Sequence, residues 1–444
     1  MRDPSVAEQG AFFRLLQKVV AVRPEELRAV GWCWLYAFAL LAANYILTPI
    51  RDQMGVAGGV RNLPWLFVGT LAGTVLLNVP FGWLVKKLPR SRFIPLTYRF
   101  FAVMLLLFGV AMHFATKEQS VWVGRIFFIW VSVANLFAIS VFWQLNVDLF
   151  SPEQGKRLFG FIAAGATIGA IVGSAFISGM ARTLSPTVLL IVAALLFEVA
   201  VFCAGRLGRL SPALHHRTQD QIAKDEDRAV GGGVLSGIVH TVRSPYLLAV
   251  SAFLLLYSVT STFVYSQQAA IVAHDLSDRA AQTVFFSNIN FGVNTVALVF
   301  QLFFTGRIVL SLGVALALAI LPVITMGGFA VLAATPTLAV IGIFQVVRRG
   351  IEYSVTRPAR EVIYTVVSRE DRYKTKGFID TFVYRLGDQV GIWSATIFSA
   401  AGAHIAPLVA IGIAAVWLLV ALWLGTQQKR REGEQDKAAV AATA

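Results

Sequence analysis

The sequence predicts an all-α membrane protein of twelve transmembrane helices in two pseudo-repeated six-helix bundles. Three observations predict it. The first is a succession of apolar stretches between residues 29 and 425, each near the ~20 residues that cross a bilayer. The second is composition. Of 444 residues, 57% are hydrophobic and 14% charged, with mean hydropathy +0.69, whereas a soluble domain carries about 25% charged residues. The third is an internal match. Ser151, Glu153 and Gly160-Phe161-Ile162 recur as Ser368, Glu370 and Gly377-Phe378-Ile379 at one constant offset of 217 residues, close to half the chain.

In order, the expected spans are 29–49, 64–86, 94–115, 121–146, 157–181 and 186–207, then 246–271, 282–305, 309–333, 336–357, 377–401 and 404–425. The polar stretch 208–243 holds His215-His216, the acidic run Asp225-Glu226-Asp227 and Gly231-Gly232-Gly233, and reads as a linker. The expected organisation is an N-terminal segment 1–28, a bundle 29–207, the linker 208–243, a bundle 244–427 and a tail 428–444. Alternate loops concentrate cations: Lys86, Lys87, Arg90 and Arg92; Lys156 and Arg157; Arg369, Arg372, Lys374 and Lys376; Lys429, Arg430 and Arg431. The intervening loops hold little more than Lys117, Arg182 and His404. Cytoplasmic loops collect Lys and Arg, so both termini are expected in the cytoplasm, and the membrane to be a cell inner membrane. The first 28 residues lack the pattern of a cleaved signal, and Ala11–Val22 predicts a short amphipathic helix lying on the membrane.

Several function classes drop out. The net charge of +14 sits in short loops, where it sets topology rather than binding nucleic acid. Cys33 and Cys203 lie in apolar stretches and read as buried small side chains. No phosphate-binding Gly-rich loop or zinc-binding His-Glu-x-x-His helix occurs. No enzyme activity, cofactor, metal or stable protein partner is therefore expected. The expected partners are the bilayer and a small solute.

Charges inside apolar spans are costly, so they are functional candidates. The tenth span holds Arg348, Arg349, Glu352 and Tyr353, with Glu352 placed to pair with either arginine along one face. The eleventh holds Asp380, Tyr384, Arg385 and Asp388, the first, second and fourth at four-residue steps on one face. Tyr257, Ser261, Tyr265 and Gln268 line a stripe of the seventh, Asn290 and Asn294 mark the eighth, and Arg51-Asp52 ends the first. Arg99, Arg125 and Glu198 fit structural pairing or snorkelling. Guanidinium forks suit phosphate or carboxylate oxygens, which predicts a small organic anion as solute. Arg348, Arg349, Arg385, Tyr257, Tyr265 and Asn294 are the expected solute contacts. Glu352, Asp380 and Asp388 are expected to couple or to pair those arginines, and Arg51 and Asp52 to gate the site. Gly165, Gly169 and Gly173 predict close helix packing. Gly82 to Arg92, between the second and third spans, loosely resembles the major facilitator loop signature, with Lys86 in place of the usual acid and Pro89 in place of the second glycine.

Repeated six-helix halves are the architecture of major facilitator transporters. Beyond that, the runs Asp148 to Gly165, Arg357-Pro-Ala-Arg-Glu361 and Ser368 to Asp380 resemble bacterial members of the ATP/ADP translocase family. The resemblance implies a major facilitator-like fold and solute exchange or symport by alternating access. It matches Arg51-Asp52 to a transport-essential Lys-Asp pair. It also matches Leu386-Gly387-Asp388 to a Leu-Gly-Lys sequence, so Asp388 reverses a charge where a phosphate contact is expected. Two alternatives follow: a proton-coupled carrier of a different solute, since Asp388 can titrate, and a non-transporting receptor or assembly partner.

Overall fold

The computed structural model describes residues 22, 23, 25–214, 241–367, 375–402 and 404–443. All of the expected surface helix Ala11–Val22 except Val22, and most of the linker, lie outside them, as does the motif stretch 368–374. The described residues are nearly all helical, without strands. Helices α1 to α6 are Leu27–Ala57, Leu63–Lys87, Arg90–Phe114, Lys117–Leu149, Pro152–Met180 and Pro186–Leu214. Helices α7 to α9 are Pro245–Asp275, Arg279–Phe303 and Thr305–Ala334. Helix α10, Leu338–Ile351, passes through a π-turn, Glu352–Thr356, into α11, Arg357–Ile363. A second π-turn, Ile379–Val383, leads into α12, Tyr384–Ala401, and α13 is Ile405–Thr443.

Ten helices among the described residues are long and apolar enough to cross a membrane. The two remaining expected spans, 336–357 and 377–401, are the ones interrupted by π-turns and by mid-span charges. The chain divides into two compact units, residues 1–51 with 73–222, and residues 52–72 with 223–444.

In the first unit the α5 glycines do what their spacing predicts. A Cβ on Gly165, Gly169 or Gly173 would fall 2.7, 2.2 and 2.5 Å from the carbonyl oxygens of Trp34, Phe38 and Ala42 on α1. Only glycine allows that approach. Around this seam Tyr36 donates to the Tyr98 hydroxyl at 2.6 Å, which donates to the Ala138 carbonyl at 2.8 Å. Arg99 and Glu198 pair at 3.4 Å between α3 and α6.

Ser151 caps α5, and Gln154 completes a reciprocal capping box. Gln154 also donates at 3.0 Å to Glu26, which receives Arg157 at 2.8 and 3.3 Å and the Arg23 backbone N–H at 3.0 Å. Burial of Glu26 favours its neutral form. The bonds from Arg157, Arg23 and Gln154 and the charge of Arg157 outweigh it, so its carboxyl titrates below the usual range. A depressed folded-state value means that this stabilisation is complete above the unfolded pKa and is lost as pH falls through the folded value. Hydrogen bonds to a charged group contribute about 1.5–3 kcal/mol. Glu26→Gln is therefore expected to lower the melting temperature in detergent at pH 7, and the gap to wild type is expected to close as the pH falls through the folded-state value.

The second unit repeats the helix seam. A Cβ on Gly387 of α12 would lie 2.7 Å from the Ser258 Cβ and 3.0 Å from the Leu255 carbonyl oxygen on α7. One on Gly391 would lie 2.9 Å from the Val259 carbonyl oxygen. Phe38 and Ala42 map onto Leu255 and Val259 at the offset of 217 found in the sequence. Gly169 and Gly173 map onto Gly387 and Gly391 at 218. The extra residue enters after Ile379, still at 217, and before Gly387, which is where the π-turn stands. Helix α5 runs unbroken through the equivalent region. A π-turn closes i→i+5 rather than i→i+4 bonds, so it absorbs one inserted residue and returns the helix to its seam.

Candidate functional site

The charged residues of the second unit gather where α7, α8, α9, α10 and α12 pack. Arg348 is 1% exposed. Its Nε donates to Thr325 on α9 at 3.2 Å. Its terminal nitrogens donate to Ser261, Thr260 and the Tyr257 carbonyl on α7 at 3.4, 3.4 and 3.5 Å. The guanidinium also lies 5.4 Å from the centre of the Tyr257 ring. Among the described residues no carboxylate oxygen stands within ion-pair distance of it; its partners are hydroxyls, a carbonyl and an aromatic face.

Arg349 donates to Asn290 at 3.0 Å and to the Tyr353 hydroxyl at 3.5 Å. The expected contact Asn294 instead turns its amide back to the Asn290 carbonyl at 2.8 Å. The α8 residue nearest this arginine is thus Asn290, one turn away from the expected one. Gln345 and Gln268 are hydrogen-bonded to each other.

Glu352 pairs with neither Arg348 nor Arg349. Its Oε1 accepts from the Arg357 Nε at 2.7 Å. The π-turn is the reason: the Arg357 N–H bonds the Glu352 carbonyl across five residues, which brings the fifth residue, not the fourth, over the carboxylate. Arg357 also covers the Tyr353 ring at 4.4 Å. It was missed from sequence because it sits at the very end of the expected span.

Asp388 and Arg385 pair with each other at 3.3 Å, and Ser258 donates to Asp388 at 2.6 Å. Arg385 therefore enters the site neutralised. Asp388 lies between the seam glycines, which puts its carboxyl against α7. Asp380 stands apart within the second π-turn, facing Arg360 at 3.9 Å. Tyr265 donates to Asp52 at 3.2 Å. Arg51 belongs to the other unit, where it reaches Ser132 at 3.5 Å and the Phe128 ring at 5.3 Å.

Around α10 the arrangement holds three guanidiniums, Arg348, Arg349 and Arg357, against the carboxylate of Glu352. That group of cations, fully buried at Arg348 and dressed with hydroxyls and tyrosine rings, can receive anionic oxygens. No cluster of three or more His, Cys, Asp or Glu able to hold a metal occurs among the described residues.

Known proteins agree with this fold. The sequence profile of the Major Facilitator Superfamily matches residues 32–387. The chain belongs to that superfamily. It is a multi-pass membrane protein and a secondary transporter of a small solute, not an enzyme. ADP,ATP carrier protein 2 of Chlamydia pneumoniae is 21% identical to it over 96% of this chain and 94% of that protein. Among solved structures, a bacterial homologue of the iron transporter ferroportin, in an inward-facing state, superposes with a TM-score of 0.64 at 11% identity, covering 90% of this chain and 99% of that one. A bacterial homologue of the human lysosomal transporter Spinster gives 0.62 at 14%, covering 92% and 99%. The nucleoside transporter NupG gives 0.53 at 14%, covering 90% and 99%. At these identities the structural likeness is one of fold.

Proposed function

We propose that this transporter carries a small organic anion, of nucleotide type, by alternating access, in a bacterial inner membrane with both termini in the cytoplasm. The observation that carries the reading is Arg348: a fully buried cation whose neighbours are hydroxyls and an aromatic ring rather than a carboxylate. A charge in such a place is a burden to folding unless something binds it. The anionic cargo in the name of the chlamydial relative supports the same chemistry. In this reading Arg348 and Arg349 hold the anion and Tyr257 lines it. Glu352 holds Arg357, Asp388 holds Arg385, and Arg51 and Asp52 gate the site.

Asp388 favours a second reading, coupling to protons, because it places a titratable acid at the α7–α12 seam where the resembling exchangers carry lysine. One experiment separates the two. Proteoliposomes are assayed for uptake of labelled ADP with and without internal nucleotide, and with and without a pH gradient. Anion exchange requires internal nucleotide and ignores the gradient. Proton coupling does the reverse. Asp388→Lys is expected to abolish the gradient's effect; if it leaves that effect intact, Asp388 is not the coupling group.

A further inference from the structure

Among the described residues, five buried polar atoms without a hydrogen-bond partner come from one short stretch and the residue facing it: Glu352 Oε2, Thr356 Oγ1, Arg360 Nε, Tyr364 Oη and Asp380 Oδ1. The first four follow one another at four-residue steps along the π-turn and α11. Glu352, Thr356 and Tyr364 are 3%, 4% and 2% exposed. Asp380 faces Arg360 from the start of the eleventh expected span, and their 3.9 Å separation is too long for a hydrogen bond. Such groups in a bilayer cost several kcal/mol each when unsatisfied. Native proteins leave only a few buried groups so per 100 residues, and four at regular steps with a fifth facing them call for a common partner.

The spacing identifies that partner. A four-residue step rises about 6 Å, close to two hydrogen-bond lengths of about 2.8 Å each. A water molecule can satisfy two such groups at once, and the 3.9 Å between Arg360 and Asp380 leaves room for one to bridge them. From residue 352 to residue 364 the stripe climbs roughly 18 Å, from inside the tenth expected span, 336–357, to beyond its end. We propose that it is a water-binding file that carries solvent from Tyr364 inward to Glu352, next to the arginine site. The file hydrates the Glu352–Arg357 pair inside the bilayer, and it does so whichever solute is carried.

Radiolytic hydroxyl-radical labelling of the protein in nanodiscs, read by mass spectrometry, reports water beside buried side chains and needs no transport. Tyr364 is the probe and Tyr246 the reference. Tyr246 is equally buried in the same unit, at 1% exposed, but its hydroxyl donates to the Ile363 carbonyl at 2.8 Å. Tyr364 is expected to be oxidised at least tenfold faster than Tyr246. Asp380→Leu, which removes one bridging group and fills its space, is expected to bring the two rates together. Equal rates in the wild-type protein would overturn the file, as would a folded Asp380→Leu protein with Tyr364 still fast. If ADP uptake fails while Tyr364 labels rapidly, the anion reading falls and the file stands.

Discussion

Replacing Arg348 by Met is expected to leave the protein as stable as wild type, or more so, while nearly abolishing solute binding. The two effects have one cause. Met fills much of the side chain's volume, so the cavity term that penalises truncation is small. Two of the three hydroxyls that Arg348 touches keep their own acceptors: Thr325 donates to the Leu321 carbonyl at 2.8 Å and Thr260 to the Leu256 carbonyl at 2.9 Å. The desolvation cost of a buried guanidinium without a carboxylate disappears. An anion, by contrast, loses a charge-assisted bond of about 1.5–3 kcal/mol, or about 10- to 100-fold in affinity, and more if the contact is bidentate. Melting in detergent with and without ADP measures both effects. Wild type should gain stability with ligand by mass action, and the Arg348→Met protein should not. Arg348→Lys keeps the charge but loses the planar fork, and should fall between. A large fall in the melting temperature of the ligand-free Arg348→Met protein would instead make Arg348 a structural residue and remove the centre of the proposed site.

Much of this site is legible from sequence because intramembrane charge is scarce. Arg348, Arg349, Glu352, Asp380, Arg385 and Asp388 stand out from apolar surroundings without any structure. Their partners do not. The pairing of Glu352 with Arg357 depends on a single π-turn, and one extra residue in a uniformly apolar helix leaves the hydrophobic pattern unchanged. Asn290 and Asn294 differ by one turn on the same helix, so the spacing that places both near α10 cannot choose between them. The seam glycines Gly387 and Gly391 show the opposite case. Their four-residue spacing is the signal that identifies Gly165, Gly169 and Gly173 on α5. In the second unit a charged residue, Asp388, stands between them, so the spacing no longer sits in an uncharged run as it does on α5.

The one-residue insertion leads to the other large effect, a contrast between two deletions in the same helix. Deleting Thr381 from the π-turn leaves a continuous α-helix, because a π-turn is an α-helix with one residue too many. Lys376 to Ile379 and Tyr384 to Ala401 can keep their places, and the result copies the register of α5, which packs on its own glycine seam without interruption. The folded protein is expected to survive with a melting temperature within a few degrees of wild type, since about 1 kcal/mol shifts a domain of this size by roughly 2–4 °C. Deleting Gln389 instead removes a residue between the seam glycines, where no π-turn can absorb it. Every later residue then turns by about 100° and slides about 1.5 Å. Gly391 no longer meets Val259, and a residue with a side chain takes its place against the α7 backbone, where a Cβ has 2.9 Å. That protein is expected to yield no monodisperse peak on size exclusion. If the two deletions behave alike, whether both fold or both aggregate, then the extra residue in the second unit is not stored at Ile379–Val383 and the matched registers of the two seams have another origin.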